Sequence, residues 1–549
     1  MATLSLAMAQ VGPDAQELLR QQERERALRE QQKQSPDVRL ESPTSAFESL
    51  PAGRSPCFRI DAIRLEGEDA DHFRWALESA DPKRDPATGR CLGTQGINVV
   101  MKRVQNAIIA RGYVTTRVLA APQDLTGGAL TLNVIPGRIR AIRFADGTAP
   151  NATLWNAVPV SSGDLLNLRD VEMALEVFKR VPTAQADIQI VPADGPEAQP
   201  GQSDLVIAWS QSRKIRANVS LDDSGSEASG KLQAGATLSV DNALQAHDLF
   251  YLNVGHDAFS GSGKGTESWA AHYDLPVGYW LIGANASAYD YHQTVAGHSQ
   301  NYVYSGNSQN ADVRLSRLLY RNATRKFGAY VRAWARESKT YIDDTEIEVQ
   351  RRRTGGWEAG LTWKQFLGKA TLDANTAFRR GTGAFDALPA PEERFDEGTS
   401  RMKVITADAQ LTAPFQIGKQ VLRYTGNWRA QWNRTPLVAQ DRFAIGGRYT
   451  VRGYDGEVSL TGERGWLLRN DIGLPLGGGQ EMYVAADYGH VGGPATAWQL
   501  GVHLAGMALG LRGGWKGGYW DCFVGAPIDK PKGFPTAYTT TGFSLGWSF

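Results

Sequence analysis

Residue patterns that carry covalent chemistry are scarce in this chain of 549 residues. The run Gly261-Ser-Gly263-Lys264-Gly265-Thr266 invites a phosphate-binding loop. It fails because Ala258 stands where the first glycine belongs, and Gly265 follows the lysine where a Ser or Thr must meet magnesium. It reads instead as an outer loop between strands. Neither HExxH nor paired CxxC occurs. No catalytic residue, metal ligand or cofactor is assigned, and the chain is read as a non-enzyme. What remains is recognition chemistry. Arg452 sits in Gly446-Gly447-Arg448-Tyr449-Thr450-Val451-Arg452-Gly453-Tyr454. Its guanidinium is always charged and presents a planar fork that fits a carboxylate. Gly446, Gly447 and Gly453 permit tight turns around it.

Three cysteines are present, Cys57, Cys91 and Cys522. Three pairings are open and one thiol stays odd. Cys57 and Cys91 share a small candidate domain and are expected to bridge in an oxidising compartment. The chain-entropy model gives about 3–4 kcal/mol for a loop of that length.

Long dyad alternation dominates after about residue 213. Leu232, Ala234, Ala236, Leu238 and Val240 alternate with polar or small residues, as do Ile405, Ala407, Ala409, Leu411 and Ala413. Strands of about ten residues with one apolar and one polar face cross a bilayer with tilt around a wet lumen. Glycine (59 residues), Tyr (18) and Trp (15) suit a barrel with aromatic girdles. No run of about eighteen apolar residues supplies a transmembrane helix. The fold class is therefore a transmembrane antiparallel β-barrel over 213–549, closed by Thr541-Gly-Phe543-Ser-Leu545-Gly-Trp547-Ser-Phe549. Alternation also places two acids. Met482, Val484, Ala486 and Tyr488 face lipid, so Asp487 faces inward; Asp471 lies opposite Trp466, Leu468 and Ile472.

The elements before the barrel are of another kind. Residues 14–32 are helix formers without Gly or Pro, and Pro13-Asp14 suits a helix start. Polar nearly all round, this helix needs a wet environment. Residues 33–56, rich in Pro and Ser, read as a linker. Ala7-Met8-Ala9 resembles a signal-cleavage site, so 1–9 reads as a signal-peptide remnant. Residues 57–138 form a small α/β unit: strands at 58–65, 113–119 and 130–134, with a helix on Ile97, Met101, Val104 and Ile108. Residues 139–212 repeat the plan, giving two β–helix–helix–strand modules. With 59 Lys+Arg against 58 Asp+Glu, no basic field calls for nucleic acid.

The order signal remnant, polar helix, linker, two modules and barrel resembles the TpsB family, the outer-membrane transporters of two-partner secretion within the BamA-like superfamily. Cys57-Phe-Arg-Ile60 and Gly112-Tyr113-Val-Thr115 in the first module carry the match, as do Gly163-Asp-Leu165-Leu166 and Val181-Pro182 in the second. Val451-Arg452-Gly453-Tyr454 is similar to the tip of that superfamily's sixth extracellular loop, which folds into the lumen. The resemblance implies two POTRA domains, a barrel of about sixteen strands, and a plug helix over 10–32. It implies an inward loop around 446–465, held by Arg452 on Asp487, with Asp471 as the alternative. Ala485-Ala486-Asp487-Tyr488-Gly489 departs from the family pattern at its first position, which leaves that choice open. The implied function is export of one dedicated exoprotein (an adhesin, haemolysin or contact-dependent inhibition toxin) without nucleotide hydrolysis, driven by folding outside the cell. A BamA-like insertase is the alternative. Implied partners are the unfolded TpsA-type exoprotein on the POTRA domains, the barrel-assembly machinery reading the end at Phe549, and outer-membrane lipid. The expected site is the bacterial outer membrane with the POTRA domains in the periplasm, and the expected state is a monomer.

Overall fold

The computed structural model describes residues 13–32, 36–41, 47–51, 56–149, 151–196, 198–261 and 263–549. The signal remnant expected at 1–9 lies outside the described residues.

Two small modules come first. In one, the strands Ala62–Gly67, Ala129–Ile135 and Arg117–Leu119 form a three-stranded sheet in that spatial order, the first two parallel. The helix Thr94–Ala110 covers it, burying Val100, Val104 and Ile108 against Leu130, Leu132 and Phe73. The strand expected at 58–65 breaks at Asp61, whose amide donates to the Gly128 carbonyl at 2.7 Å. Its front piece, Phe58–Ile60, pairs instead with Arg90–Leu92. The strand expected at 113–119 forms only at Arg117–Leu119; the Tyr113 ring packs edge-on against Phe73 at 5.1 Å.

In the other module, Arg138–Phe144, Gln202–Gln211 and Ala184–Pro192 form the sheet. The helix Leu168–Phe178 starts at Asn167, whose side chain accepts from the Arg169 amide at 2.9 Å. Among the described residues this module has one α-helix, so the expected pair of helices is corrected here. Turns occupy 151–157 because that stretch docks onto the barrel. Asn156 donates to the carbonyls of Ala246 (2.5 Å) and Pro276 (2.9 Å).

From Ile215 the chain forms a closed antiparallel barrel of sixteen strands. Closure comes from Thr540–Ser548, the sixteenth, pairing with Ile215–Asp222, the first, from Ser544 opposite Asp222 to Ser548 opposite Asn218. Sheet closure removes the open edge that lipid could not satisfy. Along the second strand, Gln233–Asp241, Thr237 and Ser239 are buried inward while Leu238 is exposed outward. Strands of ten residues were too short an expectation for one side. The fifth to eighth run 17, 21, 18 and 16 residues, so that wall continues past the membrane.

The helix Pro13–Gln32 lies within the barrel. It reaches Gln233 on the second strand, Tyr289 on the fifth, Trp280–Ala296, and Arg429 on the eleventh, Gln420–Asn433. Contacts on such separated walls require a position inside the lumen.

Candidate functional site: the inward loop and the lumen helix

The long connection from the eleventh strand to the twelfth, Arg464–Gly477, turns into the barrel. A short ladder, Phe443–Ile445 with Leu460–Gly462, forms its stem. Ile445, Val451, Leu460, Leu467, Val491 and Leu504 make one buried apolar cluster that joins stem and wall. This anchors the loop without any ion pair.

Arg452 stands at the tip. Its Nε donates to Asp487 Oδ2 and its Nη2 to Asp487 Oδ1, each at 2.7 Å. Its backbone amide donates to the same Oδ2 at 3.0 Å. Nη2 also meets Asp471 Oδ1 at 2.6 Å. The two candidate partners are thus held together by one guanidinium, where the sequence presented them as alternatives. Asp487 lies on the thirteenth strand, Gln480–Gly492, with its side chain fully buried, and Asp471 lies on the twelfth. Beyond Asp471 the charges continue through Arg512 (3.3 Å) to Glu481 and Arg423.

Three glycines of the wall make room for the tip. A Cβ at Gly506, on the fourteenth strand His503–Trp515, would fall 1.9 Å from the Arg452 carbonyl oxygen. One at Gly489 would meet Val451 Cγ2 at 2.9 Å, and one at Gly525 would lie 3.1 Å from Gly453 Cα. Gly453 itself has φ +93° and would drive a Cβ to 2.4 Å from the Ala526 carbonyl oxygen. Backbone therefore lies on backbone, which side chains would forbid. The Tyr454 hydroxyl lies within hydrogen-bond reach of the carbonyls of Asp529 (2.7 Å) and Ala505 (3.0 Å). Arg448 reaches Asp223 at 2.6 Å and the Phe543 carbonyl, so the loop also touches both strands at the closing seam.

The lumen helix sits against this loop. Arg20 donates to the Gly456 carbonyl at 2.7 Å, and Gln16 donates to the Glu457 carbonyl. Glu23 forms a two-bond pair with Arg429 at 2.6 and 2.7 Å. Arg24 donates to Gln233 at 2.8 Å, and the Tyr289 hydroxyl donates to Glu17. Leu18, against Tyr289 and Tyr291, is its apolar contact. The helix is thus held mostly by polar groups, as its polar sequence demands.

At the periplasmic rim the segment after the helix is clamped. The amides of Val38 and Leu40 donate to Glu176 (2.9 Å) and Glu172 (2.7 Å) on the second module. Arg321, at the end of the sixth barrel strand Asn301–Arg321, binds both glutamates and the Val38 carbonyl. Asp37 binds Lys326 and Lys364. Nearby, His247 in the turn after the second strand packs on Phe178 (4.9 Å) and Trp209 (5.7 Å). That burial pushes its imidazole pKa below the usual value, outweighing the Thr153 carbonyl and Asp248.

The Cys57 and Cys91 sulfurs lie at bonding distance, 1.97 Å, and Cys522 is an exposed free thiol. The Phe549 amide donates to the Ala217 carbonyl at 2.8 Å, so the terminus is stitched to the first strand. Residues 261 and 263 lie in an outer turn and Lys264 opens a strand, so no helix follows the glycines as a phosphate loop requires. Sequence reasoning missed Arg429, Arg448, Glu457, Arg321 and the wall glycines. Only the glycines carried a signal: Gly489, Gly506 and Gly525 are small residues on a lumen-facing wall.

The chain is similar to known proteins in sequence and in overall fold. The family model for haemolysin secretion/activation protein ShlB/FhaC/HecB matches residues 201–513. A ShlB-type POTRA model matches 58–137, and a second POTRA model matches 138–192. The outer membrane transporter CdiB-2 of Burkholderia pseudomallei (strain 1026b) is 36% identical over 551 residues, covering 96% of this chain and 93% of that protein. The outer membrane transporter CdiB of Dickeya dadantii (strain 3937) is 27% identical, with 93% and 89% covered. The solved structure of CdiB from Acinetobacter baumannii superposes with a TM-score of 0.85 at 30% identity, covering 98% of this chain and 99% of that one.

Proposed function

Because this chain belongs to the ShlB/FhaC/HecB family of haemolysin secretion/activation proteins, we propose that its lumen is the export path of one dedicated exoprotein and that the helix Pro13–Gln32 closes that path at rest. The protein is an outer-membrane transporter of two-partner secretion, with its POTRA domains in the periplasm. The cargo belongs to the large adhesins, haemolysins or contact-dependent inhibition toxins. It is recognised unfolded, as an added strand on the sheet edges of the POTRA domains. Ala184–Pro192 offers such an edge, pairing with one neighbour only. β-Augmentation reads backbone and suits a chain in transit.

The kind of contact that holds the helix carries the reading. Polar groups in a wet lumen exchange protein partners for water at a net cost of about 1 kcal/mol per hydrogen bond. A helix held that way can leave. The space it vacates, about 10 Å across, admits an extended or singly helical chain and excludes a folded domain. Arg452, Asp487 and Asp471 hold the inward loop in the shape that leaves this conduit beside it. The terminal strand to Phe549 serves recognition by the barrel-assembly machinery, and the working unit is a monomer.

Depletion of the protein tests the function. The reading expects one exoprotein to vanish from the culture medium while other outer-membrane proteins keep their abundance. General loss of outer-membrane barrels would mark an insertase instead.

A further inference from the structure

Four cations stand side by side outside the barrel where its strands leave the membrane on the extracellular side. Arg380 ends the ninth strand, Ala370–Thr382, and pairs in register with Lys403, which opens the tenth, Lys403–Ile417. Arg434 follows the eleventh strand directly, and its amide donates to the Lys403 carbonyl at 2.8 Å. Arg464 opens the twelfth, one register step lower, where Gln431 opposite Gly465 puts it beside Trp432. All four are exposed. Their sequence neighbours point the other way: Val404 is buried in the lumen-side cluster with Trp334, and Arg379 stacks on that same ring at 4.1 Å. Alternation then puts Arg380 and Lys403 on the outer face.

No ion pair joins any of the four to a carboxylate among the described residues. Several lumen cations behave otherwise: Arg336, Arg423, Arg429, Arg452 and Arg512 each take an acid. Below the four lies an aromatic band. Trp357 contacts Phe378 at 5.7 Å, and Trp428 contacts Trp432 at 6.2 Å. Trp428, Trp432, Trp466, His490 and Arg464 line one outward cavity. Aromatic rings of this kind sit at the headgroup level of a bilayer.

We propose that this patch binds the phosphorylated glycolipid of the outer leaflet, with Arg380, Lys403, Arg434 and Arg464 on the lipid A phosphates and the tryptophan groove against its acyl chains. The charge is complementary, and its height matches the headgroups rather than the acyl core. Arginine and lysine each suit phosphate, the former as a fork and the latter as a point charge. Location on strands nine to twelve, beside the base of the inward loop, would let a lipid brace the wall from which that loop departs.

The test uses the full-length protein purified in detergent, with bound lipid A read by native mass spectrometry. Wild type should retain lipid A through exchange. The R380Q/K403Q/R434Q/R464Q variant should retain at least about tenfold less, since each surface cation adds attraction to anionic lipid. The K369Q/K419Q variant, altered at periplasmic turns, should match wild type. Added bisphosphorylated lipid A should rebind more tightly than monophosphoryl lipid A or phosphatidylglycerol. Heat-dependent gel mobility checks that each barrel is folded; should the fourfold variant lose it, R380Q/K403Q and R434Q/R464Q are read separately and should each fall. Equal retention by wild type and folded variants, or equal displacement by phosphatidylglycerol, would overturn the proposal.

Discussion

Arg452 and Asp487 are joined by two parallel hydrogen bonds of 2.7 Å, and the backbone amide of Arg452 adds a third at 3.0 Å. One carboxylate thus fixes both the direction of the side chain and the path of the loop backbone. The aspartate is fully buried, so the pair is no loose surface contact.

Removing the Arg452 side chain leaves the buried Asp487 carboxylate with two backbone amides, those of Arg452 and Asn470, and Arg469 at 3.8 Å as its nearest cation. Breaking a buried pair costs about 3–5 kcal/mol. R452A should therefore lower the unfolding midpoint in heat-modified gel shifts and reduce secretion strongly. R452K keeps the charge and loses the fork, so it should fall between. D471N should be milder than D487N, because Arg452 keeps both bonds to Asp487. Equal effects of the two aspartate changes would contradict this geometry.

The wall glycines give a steric test free of charge effects. G506A places a methyl 1.9 Å from the Arg452 carbonyl oxygen and should displace the loop tip. G283A meets nothing within 4 Å and should be silent. Protease sensitivity of the 446–459 region reads the difference; a silent G506A would show that the tip does not lie on the wall.

Docking of the second module should weaken in acid through His247. Its folded pKa is lowered by burial against Phe178 and Trp209. The neutral ring is the one that fits, so the undocked state takes the proton first. Stability is therefore full above about pH 6.5. It declines as pH falls from there to the lowered folded value. Hydrogen exchange of residues 242–248 across pH 5 to 8 should show this loss. H247Q should flatten the profile; an unchanged slope would exclude His247 as its source.

The barrel and both modules were legible because burial writes a period into the sequence. Leu232–Val240 alternated, and Val104 and Ile108 fell on one helical face. Arg452 was found through the resemblance of Val451–Tyr454 to a known loop tip, and Asp487 through the same resemblance with strand parity in support, which also offered Asp471. Their joint capture was not legible, because parity gives the face of a strand and not the distance across a lumen. The broken strand at Asp61 was missed because a backbone bond to Gly128 leaves no trace in residue type. The clamp at Val38 and Leu40 was missed for a related reason: a Pro- and Ser-rich stretch reads as free linker until its amides find Glu176 and Glu172. Arg429 was one lumen charge among many, and only the helix opposite it gives it a partner.

The account rests on the helix leaving the lumen during export, and its pair with Arg429 is where that can be prevented. In a C522S background, E23C/R429C can be bridged by a reductant-cleavable bis-methanethiosulfonate linker. The account predicts that bridging stops secretion of the exoprotein and closes the pore in planar-bilayer conductance, and that cleaving the linker restores both. Undiminished secretion with the helix demonstrably bridged to the wall would contradict it.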